Sequence, residues 1–152
     1  MPLSFAHRTI TMLAAVGLTA GLVLAPATSA DAAKPKTGKF RYFTPDPENP
    51  PAIKDGLFFE VAKNRDDKLV VGAFVWVSDA CGRFEVPSSM VVSAKGKARF
   101  KGAAEQSPGS GSLAVTVKIK FTKKKKATVT VVDRDPARDC GALSGVTAKY
   151  YT

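Results

Sequence analysis

Four consecutive lysines, Lys123 to Lys126, interrupt a stretch in which apolar and polar residues alternate. Before them, Leu113, Val115, Val117, Ile119 and Phe121 share one parity, while Thr116, Lys118, Lys120 and Thr122 share the other. A second basic alternation, Lys95, Lys97, Arg99 and Lys101, lies a short distance upstream. Side chains that stay cationic at neutral pH do one kind of chemistry well: they attract anionic polymers through Coulomb forces and counterion release, with a steep dependence on salt. These ten residues are the candidate polyanion-binding set. A plainer account places the same lysines at strand edges and turn tips, where charge blocks edge-to-edge aggregation and keeps a protein in solution.

Other chemistries are restricted by what the chain lacks. Its single histidine is His7, inside an apparent leader, so the mature chain has no imidazole. Ser-His-Asp and Cys-His nucleophiles and imidazole-based zinc or copper sites drop out together. A carboxylate pair or a Ser-Lys arrangement would remain. The mature glutamates are Glu48, Glu60, Glu85 and Glu105; Glu60 falls on the polar parity of a strand and reads as solvated, and no nucleophile elbow or Ser-x-x-Lys occurs. Asp133, Asp135 and Asp139 in DRDPARDC are interleaved with Arg134 and Arg138. They lack the turn glycine and terminal glutamate of a calcium loop, so a self-neutralised loop is the better reading. No catalytic residue, cofactor or metal ligand is assigned.

Residues 1–32 read as a signal peptide. MPLSFAHR carries one full positive charge, Arg8; ITMLAAVGLTAGLVLA is the apolar core; PATSADAA permits cleavage after Ala30 or Ala32. No basic stop-transfer cluster follows, so no transmembrane anchor is expected after cleavage. Removal of residues 1–32 takes away Arg8 and Asp31, one charge of each sign, so the net charge of +10 passes unchanged to the mature chain. In an exported chain the two cysteines, Cys81 and Cys140, are most simply one disulfide, which also removes any thiolate nucleophile.

The elements that must position these residues are strands. Residues 33–55 hold a possible short strand, Lys39 to Phe43, and a proline cluster (Pro45, Pro47, Pro50, Pro51) that reads as a surface loop. From Gly56 onward short alternating runs recur between turn signals, leaving little room for helix. Leu57, Phe59 and Val61 share a face, and the turn Asn64-Arg65-Asp66-Asp67 follows. KLVVGAFVWVS (68–78) is apolar on both faces, so it is either covered on both or shows one face to a ligand; Phe74 and Trp76 are core residues or a stacking surface. Lys95-Gly96 suits a tight hairpin between 90–94 and 97–102, residues 105–112 read as a flexible loop, and the lysine quartet as a four-residue hairpin tip. Residues 145–152 close the domain, with Tyr150 and Tyr151 on opposite faces.

The layout of Cys81-Gly82, then Gly-Lys-x-x-Phe (Gly96 to Phe100), then Val-x-Ile-x-Phe with a Lys-Lys-Ala tip (Val117 to Ala127), then Asp139-Cys140 before the last strand resembles small secreted β-sandwich proteins of actinobacteria, mostly of unknown function. The resemblance implies a disulfide-pinned sandwich and supplies no catalytic residue.

The sequence is therefore read as a secreted, monomeric, single antiparallel β-sandwich, Ig-like or similar, of about eight strands, with residues 56–152 as the domain. Its expected role is non-enzymatic: binding anionic cell-envelope polymer through the lysine hairpins. Nucleic acid is disfavoured, because no recognised motif occurs and no clear set of stacking aromatics lies among the lysines. The alternatives are a carboxylate-dependent hydrolase and an extracellular protease inhibitor acting through residues 103–112.

Overall fold

The structure is a computed structural model that describes residues 33–45, 48, 53–135, 138 and 140–152. The expected signal peptide (1–32) with His7, the prolines 47, 50 and 51, and Asp139 lie outside the described residues.

Nine strands and no helix occur among the described residues. They are β1 (Gly38–Pro45), β2 (Ile53–Lys63), β3 (Leu69–Ser78), β4 (Gly82–Glu85), β5 (Met90–Val91), β6 (Lys97–Gln106), β7 (Ser112–Lys123), β8 (Lys126–Asp133) and β9 (Leu143–Tyr151). Every pairing is antiparallel. The order is β2-β1-β9-β8-β7-β6-β4-β3-β5, and β2 also pairs with β3. That last pairing closes the sheet into an eight-stranded barrel, with β5 as an extra piece on the β3 edge in line with β4.

The all-β antiparallel expectation holds, but the sandwich is corrected to a single closed sheet. The physical reason is bending. Register shifts occur at Thr44/Pro45, between Phe58 and Glu60, between Phe121 and Lys123, and between Val129 and Val131. Extra residues of this kind coil a strand enough for one sheet to meet itself. In β3 the matching irregularity is Ala73, whose φ is +47°. It flips the side-chain parity: Val71 points inward before it, Phe74, Trp76 and Ser78 after it. The two-faced apolar strand thus resolves into a core face and an outer face of half-buried Val75 and Val77. Phe74 and Trp76 are core, each 2% exposed.

The interior is filled by side chains, as a barrel of this size requires. Phe40 stacks on Phe59 at 5.1 Å and meets Phe121 edge-on at 5.7 Å; Phe59 stacks on Phe74 at 6.1 Å. Toward the opposite end Trp76 stacks on Phe84 at 5.6 Å. Each fully buried phenylalanine contributes roughly 1.5–3 kcal/mol of apolar transfer. The pattern, apolar inside with lysines outside on β6 and β7, is the reverse of a membrane-spanning barrel, whose outer band is apolar.

The two ends of the barrel differ. At one, Cys81 in the β3–β4 turn is disulfide-bonded to Cys140 in the β8–β9 loop, and the buried Ser78 hydroxyl donates to the Cys140 carbonyl at 2.6 Å. The loop expected within residues 103–112 is shortened to 107–111, since β6 runs to Gln106 and β7 begins at Ser112: Glu105 pairs with Ser112, and the Gln106 side chain donates to the Cys81 carbonyl at 3.2 Å. At the other end lie the β7–β8 tip and the β5–β6 turn. Gly96 (φ +62°) allows that turn, whose Ser93 amide donates to the Lys97 carbonyl at 2.8 Å. The strand before it, β5, pairs with β3 and not with β6, so no hairpin forms across Lys95-Gly96.

Candidate polyanion-binding face

All ten basic residues singled out by the alternation are exposed. They meet on one surface because β6 and β7 are neighbours in register: Lys97 lies opposite Lys120, Arg99 opposite Lys118, and Lys101 opposite Thr116. On the far side of β7, Lys118 faces Thr130 and Lys120 faces Thr128. The outer surface of β6, β7 and β8 is therefore a ladder of cations and threonine hydroxyls. Lys95, in the turn before β6, extends it at the lysine end: the Phe121 amide donates to the Gly96 carbonyl at 2.9 Å, carrying the ladder past Lys97.

The quartet is not a loose loop. Lys123 pairs with Lys126, so the turn is only Lys124 and Lys125, and the remaining irregularity is absorbed at Thr122. Neither turn residue has a positive φ. The Lys36 amide donates to the Lys124 carbonyl at 2.8 Å and the Tyr150 amide to the Lys125 carbonyl at 3.0 Å, so the segment before β1 and the end of β9 both hold the tip. The Lys36 and Lys125 ammonium groups lie 4.6 Å and 5.7 Å from the Tyr150 ring centre. Tyr150 itself turns inward, edge-on to Phe40 at 5.6 Å. Gly38 makes room for it: a side chain there would meet the Tyr150 ring at 2.6 Å, and its φ is +128°.

Like charges directly opposite on neighbouring strands destabilise a sheet by up to about 1 kcal/mol per pair. Carboxylates nearby would relieve the cost, yet the two ion pairs among the described residues, Lys63–Asp67 and Arg83–Glu85, include none of the ten. The first of these lies at the β2–β3 turn, where the hydrogen bond from Lys63, and then its charge, hold the Asp67 carboxyl below its usual range.

Position separates the two explanations for these lysines. Lys97, Arg99 and Lys101 lie on β6, whose far edge is laddered to β4 only at Glu105 and Gln106, so they can guard an edge. Lys118 and Lys120 cannot, because β7 is laddered to β6 on one side and to β8 on the other at both residues.

The carboxylates named from sequence are scattered. Glu60 is exposed on β2 opposite Lys39. Asp133 is engaged by backbone, accepting from the Asp135 amide at 2.7 Å and the Cys140 amide at 3.4 Å, and no cluster able to hold a metal occurs among the described residues. A groove of about 330 Å³ at the disulfide end does bring Asp55 and Asp79 together beside Lys54 and Cys140.

Sequence reasoning missed a second basic region. Arg41 on β1 lies opposite Lys149 on β9, which in turn lies opposite Lys126 on β8. Arg41 and Lys149, with Tyr42, Phe43, Thr147, Tyr150 and Tyr151, line a groove of about 510 Å³. The alternations FRYF and AKYY were the available signal, but nothing local says that strands at opposite ends of the chain are adjacent.

No family model, curated protein or solved structure matches this chain.

Proposed function

We propose that this protein is a secreted, non-enzymatic binding protein that holds an anionic cell-surface polymer on the outer face of β6, β7 and the β7–β8 tip. The observation that carries the reading is Lys118 and Lys120 on an internal strand, opposite Arg99 and Lys97, with no carboxylate partner among the described residues. A sheet that accepts this repulsion without edge protection as the return is suited to a ligand that supplies the missing anions. Threonine hydroxyls on β8 add neutral hydrogen-bonding groups beside the cations.

Retention on an anionic cell-wall preparation tests it. The expected result is binding that falls steeply with added salt and with Lys123 to Lys126 changed to serine; retention indifferent to both rejects the reading. A second reading, carboxylate-dependent hydrolysis, has the Asp55–Asp79 groove in its favour. It requires glycan cleavage that disappears in Asp55→Asn and Asp79→Asn, and cleavage unchanged in both variants removes it.

A further inference from the structure

We infer that the β1–β9 groove is a recognition site for an acidic saccharide unit, with Arg41 and Lys149 holding its carboxylate or phosphate and the neighbouring aromatic and aliphatic side chains flanking its ring. The inference names a ligand class for the polymer proposed above, and it rests on that reading.

Arg41 is held unusually well for an exposed side chain. Its guanidinium carbon lies 4.6 Å from the Tyr151 ring centre and 5.5 Å from that of Phe43. Cation–π contact of this kind favours one position of the side chain, and the planar fork of guanidinium N–H donors matches an oxyanion at two points. Among the described residues no hydrogen bond or ion pair uses those donors. Lys149 stands directly across the ladder as a second cation, so an anion there would replace repulsion with two attractions.

The surroundings supply a place for a ring. Phe43 is 46% exposed, a large apolar surface beside a cation. Tyr151 also lines two further grooves, one with Phe58, Val75, Val77 and Arg83 and one that includes Lys39 and Glu60, so apolar side chains on the outward face of β3 lie beyond the anion clamp with charged groups at their borders. Thr147 adds a hydrogen-bonding side chain suited to a hydroxyl-rich ligand, while the Tyr42 hydroxyl is already paired with that of Thr44 at 2.9 Å. The volume of about 510 Å³ falls within the range of small-molecule sites. Single-stranded nucleic acid fits less well. Stacking successive bases needs several open aromatic faces, and here Phe43 is the one exposed ring of the groove, Tyr42, Tyr150 and Tyr151 being half-buried. A saccharide needs only C–H contact and an anion clamp.

The test is titration of the isotope-labelled protein, followed by amide shifts and calorimetry, with four probes: an oligogalacturonate, a neutral cello-oligosaccharide, inorganic polyphosphate and an oligothymidylate. The expected result is oligogalacturonate shifting the amides of Arg41, Lys149 and Tyr151, with little binding of the neutral sugar. Arg41→Gln and Arg41→Lys should each weaken oligogalacturonate about tenfold, a 1.4 kcal/mol loss, whereas Arg65→Gln, one charge removed from the exposed β2–β3 turn outside both cationic surfaces, changes it less than twofold. Polyphosphate, which has no ring, should not distinguish Arg41→Gln from Arg65→Gln.

Polyphosphate binding with no oligogalacturonate response at the β1–β9 amides overturns the groove while leaving the polyanion reading standing. Absence of salt-sensitive polyphosphate binding overturns that reading first. Arg41→Lys binding as the wild type, equal binding of the neutral sugar, or tighter seating of the oligothymidylate in the groove each rejects an acidic-saccharide site. The lysine substitution keeps charge and surface character, so its result stands even where the glutamine variant folds poorly.

Discussion

The β6–β7 face and the β1–β9 groove are both cationic surfaces on the same barrel, yet they hold their charges differently. On β6 and β7, Lys97, Lys118 and Lys120 are long side chains on a pleated surface with no ion-pair partner, and what is fixed is only the strand register that sets them opposite one another. In the groove, Arg41 rests against two aromatic rings and its orientation is set. The first arrangement gives a field that concentrates any polyanion; the second gives geometry that can discriminate among them. Charge density confers attraction, and a packed support for the charge confers selectivity.

Both surfaces depend on closure through β1, and the strongest way to break the comparison is to remove that support. Phe40 is fully buried and contacts Phe59, Phe121 and Tyr150. Phe40→Ala is expected to cost about 3–5 kcal/mol in urea denaturation; a loss below about 1 kcal/mol would mean the two regions do not share this core. Next in size is the disulfide. Replacing Cys81 and Cys140 together by serine should lower stability by up to about 4 kcal/mol in the chain-entropy account. It should leave polyphosphate affinity of the folded protein unchanged, because the bridge lies at the end away from the lysine tip; a parallel loss of affinity would show the two ends to be coupled.

Smaller effects sharpen the comparison. Changing Lys123 to Lys126 to serine should flatten the slope of log affinity against log salt for polyphosphate, since fewer counterions are released. The β1–β9 amide shifts with oligogalacturonate at low salt should persist, and an unchanged slope would remove the quartet from the binding face. The smallest expected effect has the opposite sign. Lys118→Glu places an acid opposite Arg99 and should stabilise the fold by about 0.2–1 kcal/mol while weakening polyphosphate binding. A variant more stable and equally good at binding would return Lys118 to a solubility role.

Much of the fold was legible in the chain itself. Because an antiparallel strand with one covered face writes its period into the sequence, the parity of Leu113 through Phe121 identified the buried face of β7 and the exposed Lys118 and Lys120, though Thr116 on the polar parity is buried. Leu57, Phe59 and Val61 behaved likewise, and the cysteine count led to the bridge that forms. Less of the site was readable. The β6 and β7 lysines were found because each lies in its own alternating run, whereas Arg41 and Lys149 occur once each in short strands and gain meaning only side by side.

The sequence alone determined that the pieces are strands and, on β2 and β7, which face carries the hidden apolar side chains, since these follow from alternation, turn chemistry and the cost of burying charge. The tertiary structure decided that the sheet closes on itself, that Ala73 switches the face of β3, that Lys118 faces Arg99, and that Arg41 lies beside Tyr151. Each of those depends on bulges and on pairing between residues distant in the chain. Backbone bending and ladder register are settled by the packing of all the strands at once, so no local window of residues carries them.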